Sequence, residues 1–178
     1  MAPRKVNSVK TENVEQAVTA VPTDRPIVPK DIDQSTLVYV KNGFQGKLIY
    51  ISPRTGERFF WDEFGDEQSM ELRELRNAKS SAKKFFENNW FMFDDDNKWV
   101  ISYLGVENYY KNAIPLENFD DIFRLPPDKL KSTIEKLSKG QKKSVAYRAS
   151  QLVLNQEIDS LKTIAALEES LGIELIEK

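Results

Sequence analysis

The sequence predicts an α+β fold: a small antiparallel sheet with packed helices, preceded by a disordered or extended arm and followed by a C-terminal helical subdomain. Short apolar segments between residues 36 and 93 alternate with turn signals, as β-strands do. Apolar residues recur at helical spacing after residue 126. Four prolines and few large apolar residues occupy the start of the chain. We therefore divide the chain into an arm (1–35), an α+β core domain (36–125) and a three-helix subdomain (126–178).

The arm has two interpretations. Its composition is that of a flexible tail, because isolated valines and Ile27 show no sustained period. Alternatively, valines and prolines in an extended strip suit a segment that becomes ordered along a neighbouring subunit. On the second interpretation, Val21 and Ile27 are candidate partner-binding residues.

Four strands are predicted in the α+β domain. The first, Leu37–Val40, leads to Asn42-Gly43, a dipeptide that favours a hairpin turn. The second and third, Lys47–Ile51 and Arg58–Trp61, flank a turn that contains proline and glycine. These three strands predict an antiparallel meander, and Trp90–Phe93 is the fourth strand or extended segment.

Helices are predicted between and after these strands. One begins near Asp66 or Ser69, either of which would cap it, and carries Met70 on its apolar side. Shorter helices are predicted around residues 80–86, 99–104, 107–112 and 119–123. Trp61 and Trp90 should be buried beside the sheet, since large aromatic side chains dominate cores.

The C-terminal subdomain is predicted to contain three helices with narrow apolar stripes. Ser138 and Gln141 have the spacing of a capping box at the start of the middle helix. The last helix is capped by Asp159 or Ser160 and ends at Gly172. The segment has one aromatic residue, so its own core would be small. We expect it to dock either on the aromatic-rich domain or, the option we favour, on a partner protein.

Composition excludes several kinds of site. The chain has no cysteine and no histidine, which excludes disulfides, thiolate zinc sites and Ser–His or Cys–His catalysis. No run of 18 apolar residues is present, so no membrane span is predicted. The first ten residues lack the apolar centre of a signal peptide. We predict no catalytic residue, no cofactor, no metal and no small-molecule substrate.

Two acidic turns are the strongest alternatives to that prediction. Residues 62–67 could supply paired carboxylates for acid–base chemistry or Mg²⁺. Acidic residues also collect at turns and helix starts for ordinary reasons, and Arg54 and Arg58 predict local ion pairing. Asp94-x-Asp96 starts like a calcium loop, but its sixth and twelfth positions are not the required Gly and Glu. Both turns are therefore predicted to be solvated acidic turns.

A cluster of basic residues surrounds the start of the middle C-terminal helix. Its members are Lys136, Lys139, Lys142, Lys143 and Arg148. Contact with nucleic acid is one interpretation. The net charge of −2 favours a solvated face or a protein-partner surface. Of these residues, Lys139, Lys142, Lys143 and Arg148 are the candidate partner-binding residues.

A pattern of turn and core residues links part of the chain to a known group of proteins. It consists of Val38-x-Val40-x-Asn42, Gly46-x-Leu48-x-Tyr50, Gly56, Trp61, Gly65 and Glu74-Leu75. In this pattern, over roughly residues 36–105, the chain resembles small uncharacterised proteins from the structural gene regions of tailed bacteriophages and prophages. The resemblance brings no catalytic residues. It implies a multi-copy virion or assembly component that is made in the host cytoplasm, enters the virion and contacts other virion proteins.

Three functions are therefore considered, in order of preference. The first is a non-enzymatic structural or assembly protein of a tailed phage. The second is an interaction module that regulates a transcription or nucleic-acid complex. The third is a carboxylate-dependent enzyme. Fixed stoichiometry in purified particles, salt-dependent retention on nucleic acid and metal-dependent turnover would distinguish them.

Overall fold

The computed structural model describes residues 31–176, and it confirms an α+β fold with a small antiparallel β component. The strands are β1 (Leu37–Asn42), β2 (Leu48–Ile51), β3 (Arg58–Trp61), β4 (Glu67–Glu71) and β5 (Phe91–Met92). The helices are α1 (Leu72–Ser81), α2 (Lys84–Glu87), α3 (Trp99–Leu104), α4 (Glu107–Tyr110), a 3-10 segment (Leu116–Arg124), α5 (Pro127–Glu135), α6 (Lys139–Leu154) and α7 (Leu161–Leu171). Val21, Ile27 and nearly all of the predicted arm lie outside the described residues.

The strands form two antiparallel sheets, so the predicted three-stranded meander is wrong. β1 is the centre of a sheet with the order β4-β1-β5, while β2 and β3 form a separate hairpin. The hairpin between the second and third predicted strands is confirmed, and so is a strand within Trp90–Phe93, which pairs with β1. The predicted pairing of β1 with β2 is the part that fails.

Asn42 and Gly43 carry the chain out of β1 instead of turning it back. The Asn42 side chain is fully buried, and its amide donates to the carbonyl oxygens of Gly46 and Glu63, both at 2.8 Å. The N–H of Gly43 donates to the carbonyl of Trp90 at 2.8 Å. A Cβ on Gly43 would lie 2.1 Å from a backbone oxygen of the segment before β5. The glycine therefore permits close backbone approach. The hairpin turn that the Asn-Gly pair predicted is wrong.

Residues 67–71 form a strand, although the sequence predicted a helix there. β4 pairs with β1 over five residues, and Met70 enters the core from it. This pairing satisfies backbone groups that a helix would satisfy internally. α1 begins only at Leu72, and neither Asp66 nor Ser69 caps it. Pairing between distant segments thus overrides the local cap signals.

The first apolar cluster lies between the hairpin, the three-stranded sheet and α1–α2. Tyr50, Phe85 and Phe91 form its aromatic centre, with ring centroids 4.8–5.6 Å apart. Trp61 is 1% exposed, and its Nε1 donates to the carbonyl of Val40 at 2.8 Å. The predicted burial is confirmed for Trp61, whereas Trp90 is only partly buried.

The second apolar cluster joins α5, α6 and α7, and these three helices confirm the prediction. Ser138 and Ser160 cap α6 and α7, and Gly172 ends α7 in the left-handed conformation. The cluster takes Phe119 and Phe123 from the 3-10 segment before residue 126. The aromatic residues that the subdomain lacks are therefore supplied by the preceding segment of the same chain.

The first two turns of α6 dock on the α+β domain. The side chain of Gln141 donates to the carbonyl and accepts from the N–H of Ile114, both at 3.0 Å, so the predicted capping box is only half formed. The Ser144 hydroxyl donates to the carbonyl of Gly43 at 3.0 Å. The docking expected for this subdomain thus occurs within the chain. A contact of residues 126–178 with a partner protein stays a prediction.

Candidate protein-binding site

The four basic candidates of α6 do not form one patch. Lys139 and Lys143 are exposed one turn apart, and Lys142 is partly buried. Arg148 Nε lies 3.0 and 3.1 Å from the two carboxylate oxygens of Asp120, and its Nη2 lies 2.5 Å from one of them. Hydrogen bonding to this carboxylate raises the pKa of Arg148. Arg148 therefore ties α6 to the 3-10 segment, and the lysines remain at the surface.

The acidic turn at residues 62–67 is closed by its own backbone. Asp66 Oδ2 accepts the N–H groups of Asp62 and Glu63 at 2.8 and 2.9 Å. Asp62 pairs with Lys47 at 3.2 Å. The arginines predicted to neutralise this turn form no ion pair with it among the described residues. Local ion pairing is therefore present, but the cation is Lys47, and the prediction of Arg54 and Arg58 is wrong.

The second acidic turn is closed in a similar way. Asp94 Oδ1 accepts the backbone and side-chain N–H groups of Asn97 at 3.1 and 2.7 Å. Within residues 31–176 no group of three acidic side chains is placed to hold a metal ion. In the same range, no helix has the length and apolar character needed to cross a bilayer.

The outer face of the β2–β3 hairpin is apolar and exposed. Alternation along a strand sends Leu48, Tyr50, Phe59 and Trp61 into the core and the residues between them outward. Ile49, Ile51 and Phe60 form this outer set, which we call the hairpin face; they are 51%, 50% and 48% exposed. Ile49 lies directly opposite Phe60 across the two strands. Contiguous exposed apolar side chains of this kind mark interaction surfaces more often than single exposed residues do.

The outer edge of β2 adds backbone hydrogen-bonding groups to this face. In antiparallel pairs, hydrogen-bonded and non-hydrogen-bonded positions alternate. Ser52 N–H donates to Glu57 at 2.8 Å, so the next hydrogen-bonded position is Tyr50. The N–H and C=O groups of Ile49 and Ile51 therefore point away from β3. No other strand within residues 31–176 pairs with this edge.

A groove of about 490 Å³ runs along this edge. One wall is β2, and the other is the connection from α1 to α2. Its lining residues are Ile49, Tyr50, Ile51, Ser81, Ala82, Lys83, Lys84 and Phe85. Lys83 pairs with Glu87 at 2.9 Å, while Lys84 lies 5.7 Å from the centre of the Phe85 ring. The groove thus combines apolar side chains of β2 and Phe85 with polar side chains of the α1–α2 connection.

A buried pair of polar residues fixes the hairpin on α1. The Tyr50 hydroxyl donates to Glu74 Oε1 at 2.6 Å, and Asn77 donates to the other carboxylate oxygen at 3.3 Å. Glu74 is only 5% exposed. Burial and the hydrogen bond to this carboxylate raise the pKa of Tyr50. The pair therefore holds β2, and with it the groove, in a fixed position relative to α1.

Glu74 also lines a groove of about 480 Å³ at the other end of the hairpin, which several charged side chains surround. Arg54, Arg73 and Glu71 contribute to its wall, and Arg73 pairs with Glu71. Charges of both signs alternate there, so the groove offers no concentrated positive or negative field.

A second exposed apolar set lies on the C-terminal helices. Tyr147, Leu154 and Leu161 are 53%, 79% and 74% exposed. Tyr147 lies in the middle of α6, while Leu154 ends α6 and Leu161 begins α7. Lys143 lies one turn before Tyr147 on α6 and is also exposed. These exposed residues form the surface on which the predicted partner contact of the C-terminal subdomain would fall.

The residues that build the hairpin site were not among the predicted site residues. For Glu74 a signal existed: it lies four residues before Ala78, so it falls on the apolar side of α1 and places a carboxylate among buried residues. Ile49 and Ile51 alternate with Leu48 and Tyr50 in a fully apolar strand, and this pattern does not reveal which side is exposed.

The comparisons supply no relative for this arrangement. Neither a protein-family model, nor a curated protein, nor a solved structure matches the chain.

Proposed function

We propose that this chain is a non-enzymatic structural or assembly protein of a tailed-phage virion and that it acts through contacts with other virion proteins. In this proposal it is made in the host cytoplasm and incorporated in several copies. The observation that carries the protein-binding part is the hairpin face, whose three large apolar side chains are about half exposed. The phage assignment is supported by the resemblance of residues 36–105 to small proteins from the structural gene regions of tailed phages.

The construction of the hairpin supports a binding role for this face. The inner side chains of the hairpin are fixed by the aromatic cluster and by the Tyr50–Glu74 hydrogen bond. A rigid support lowers the entropy lost when a surface binds its partner. Large apolar side chains on such a support are typical anchors of protein interfaces.

A second candidate function, contact with a nucleic-acid complex, rests on a different surface. Lys139, Lys143 and Tyr147 lie along one exposed side of α6. Cationic side chains next to an exposed aromatic ring can hold a phosphate and stack a base. Fluorescence anisotropy with a labelled single strand should then show binding that weakens steeply with salt and is lost in Lys143→Glu.

The main proposal is tested in purified particles of the phage or induced prophage that encodes the chain. Quantitative mass spectrometry should find the protein at a fixed ratio to the major virion proteins. The double variant Ile49→Lys/Phe60→Lys should be incorporated at least tenfold less, because interface anchors are worth about 2 kcal/mol or more each.

Thr55→Lys is the control, since it adds one lysine, half the charge added by the double variant, on the exposed turn of the same hairpin. It should be incorporated like the unchanged protein. All variants should keep the circular dichroism spectrum of the folded chain. Absence of the protein from particles, or full incorporation of the double variant, would refute the proposal.

A further inference from the structure

We propose that the outer edge of β2 is a strand-addition site and that its occupant is the segment Gln16–Val21 of a second copy of this chain. This inference rests on the proposed function, because it names the partner of the hairpin site. It would make the N-terminal arm the link between neighbouring copies in the assembly.

The edge has the groups that an added strand needs. The N–H and C=O groups of Ile49 and Ile51 face outward two residues apart, which is the repeat that a neighbouring strand matches. Exposed edges of this kind are templates for pairing with another chain. Recognition by strand addition takes its affinity from main-chain hydrogen bonds and its specificity from alternate side chains.

The groove beside the edge limits what can enter. An added strand lies about 4.8 Å from β2 and therefore runs between β2 and the α1–α2 connection. Its side chains would point alternately to the hairpin face and to the interior wall formed by Tyr50 and Phe85. Small or β-branched side chains suit the interior wall, because Ser81 and Ala82 close the groove from the opposite side.

Gln16–Val21 fits these limits. Its sequence, QAVTAV, has no charge, no proline and no large side chain, and it contains three β-branched residues. Pro22 follows it, and proline suits the end of a strand. Glu12 and Glu15 precede it, and their carboxylates are complementary to the charge of Lys84, which lines the groove.

The anchoring of residues 34–36 favours insertion of Gln16–Val21 into the groove of a second copy over insertion into the groove of its own copy. Residues 34–36 are bonded to the start of α1, since Gln34 and Thr36 accept the N–H groups of Arg73 and Leu72 at 2.9 Å. The groove lies at the other end of α1, about 15 Å away for a ten-residue helix. Twelve residues, three of them proline, lie between Val21 and Gln34. An extended connection of this length would span about 37 Å, more than twice the distance to the groove of the same copy, and would reach a neighbouring copy.

The natural absence of cysteine permits a direct test by crosslinking. Full-length chains with a single cysteine at position 17, 18 or 19 are mixed with full-length Ile49→Cys chains of different tag size and treated with a short thiol-reactive crosslinker. At least one pair should give a heterodimer, whereas the same donors should give none with Thr55→Cys. A chain that carries both cysteines tests pairing within one copy. If this chain forms an internal crosslink at every concentration and the mixed chains form no heterodimer, the proposal is overturned in favour of pairing within the same copy.

A second measurement does not depend on crosslinking geometry. Light scattering over a concentration series should show self-association that weakens at least tenfold in Val18→Pro, because proline removes a ladder donor. Val9→Pro, which lies in the arm outside the segment, should associate like the unchanged chain. Equal association of Val18→Pro and the unchanged chain would overturn the proposal. A chain found in particles at fixed ratio but without these crosslinks would refute this inference and leave the proposed function standing.

Discussion

Replacing Gly140 with alanine tests how the C-terminal helices dock on the α+β domain. Gly140 is the second residue of α6, and a Cβ at this position would lie 2.1 Å from the carbonyl oxygen of Asn88 and 2.6 Å from its Cβ. The contact is with backbone and with the root of a side chain, so it cannot be relieved by rotating a flexible side chain. Either the helix moves away or the segment before β5 is displaced.

The expected cost is the balance of two effects. Alanine favours a helix interior over glycine by about 1 kcal/mol. Overpacking of a close contact costs about 1–3 kcal/mol. If α6 moves instead, it loses the two hydrogen bonds between Gln141 and Ile114 and the bond from Ser144 to Gly43, at about 1 kcal/mol each. After the propensity gain is subtracted, overpacking gives a net loss of up to about 2 kcal/mol in the free energy of unfolding, and movement of α6 gives a loss of about 2 kcal/mol.

Urea denaturation followed by two probes measures this loss. All three tryptophans belong to the first apolar cluster or pack against it, so fluorescence reports the α+β domain. Far-ultraviolet circular dichroism is dominated by the helices. If the substitution undocks the helices, the two transitions should separate, because a two-state protein requires coincident probes.

Lys139→Ala is the matched control, since it precedes Gly140 on the same helix and is exposed. It should change stability by less than about 0.5 kcal/mol. A Gly140→Ala chain that is as stable as the unchanged protein, or more stable by the helix-propensity term, would show that α6 does not dock in this way.

Three further outcomes follow from the buried polar and aromatic contacts. Tyr50→Phe should destabilise the chain by about 1.5–3 kcal/mol, because it removes a hydrogen bond to the buried carboxylate of Glu74; an unchanged urea midpoint would refute that bond. The raised pKa of Tyr50 means that its contribution is complete below the unfolded value, about pH 10, and is lost as the pH rises above it. The urea midpoint should therefore fall above pH 10, and less steeply in Tyr50→Phe than in the unchanged chain. Trp61→Ala should cost about 3–5 kcal/mol and Trp90→Ala less, since only Trp61 is fully buried; equal denaturation midpoints for the two variants would contradict this order.

The periodicity of the sequence by itself determined the secondary-structure elements that depend on contacts between residues close together in the chain. The alternation and the turn within residues 48–61 predicted the β2–β3 hairpin. The spacing of apolar residues and the capping signals at Ser138, Ser160 and Gly172 predicted α6 and α7 with their ends. These predictions succeeded because the interactions involved lie within a few residues of each other.

Only the tertiary structure decided how these elements pair and which surfaces stay exposed. β1 pairs with β4, so residues 67–71 form a strand despite local helix signals, and the buried amide of Asn42 holds the loop after β1 in place. Ser144 reaches Gly43 across 101 positions of sequence. The strand β2 is apolar on both sides, and only its packing shows that Ile49 and Ile51 face outward. The outer edge of β2 pairs with no other strand among the described residues. Such contacts depend on which distant segments meet, and a local pattern of residue types contains no information about that.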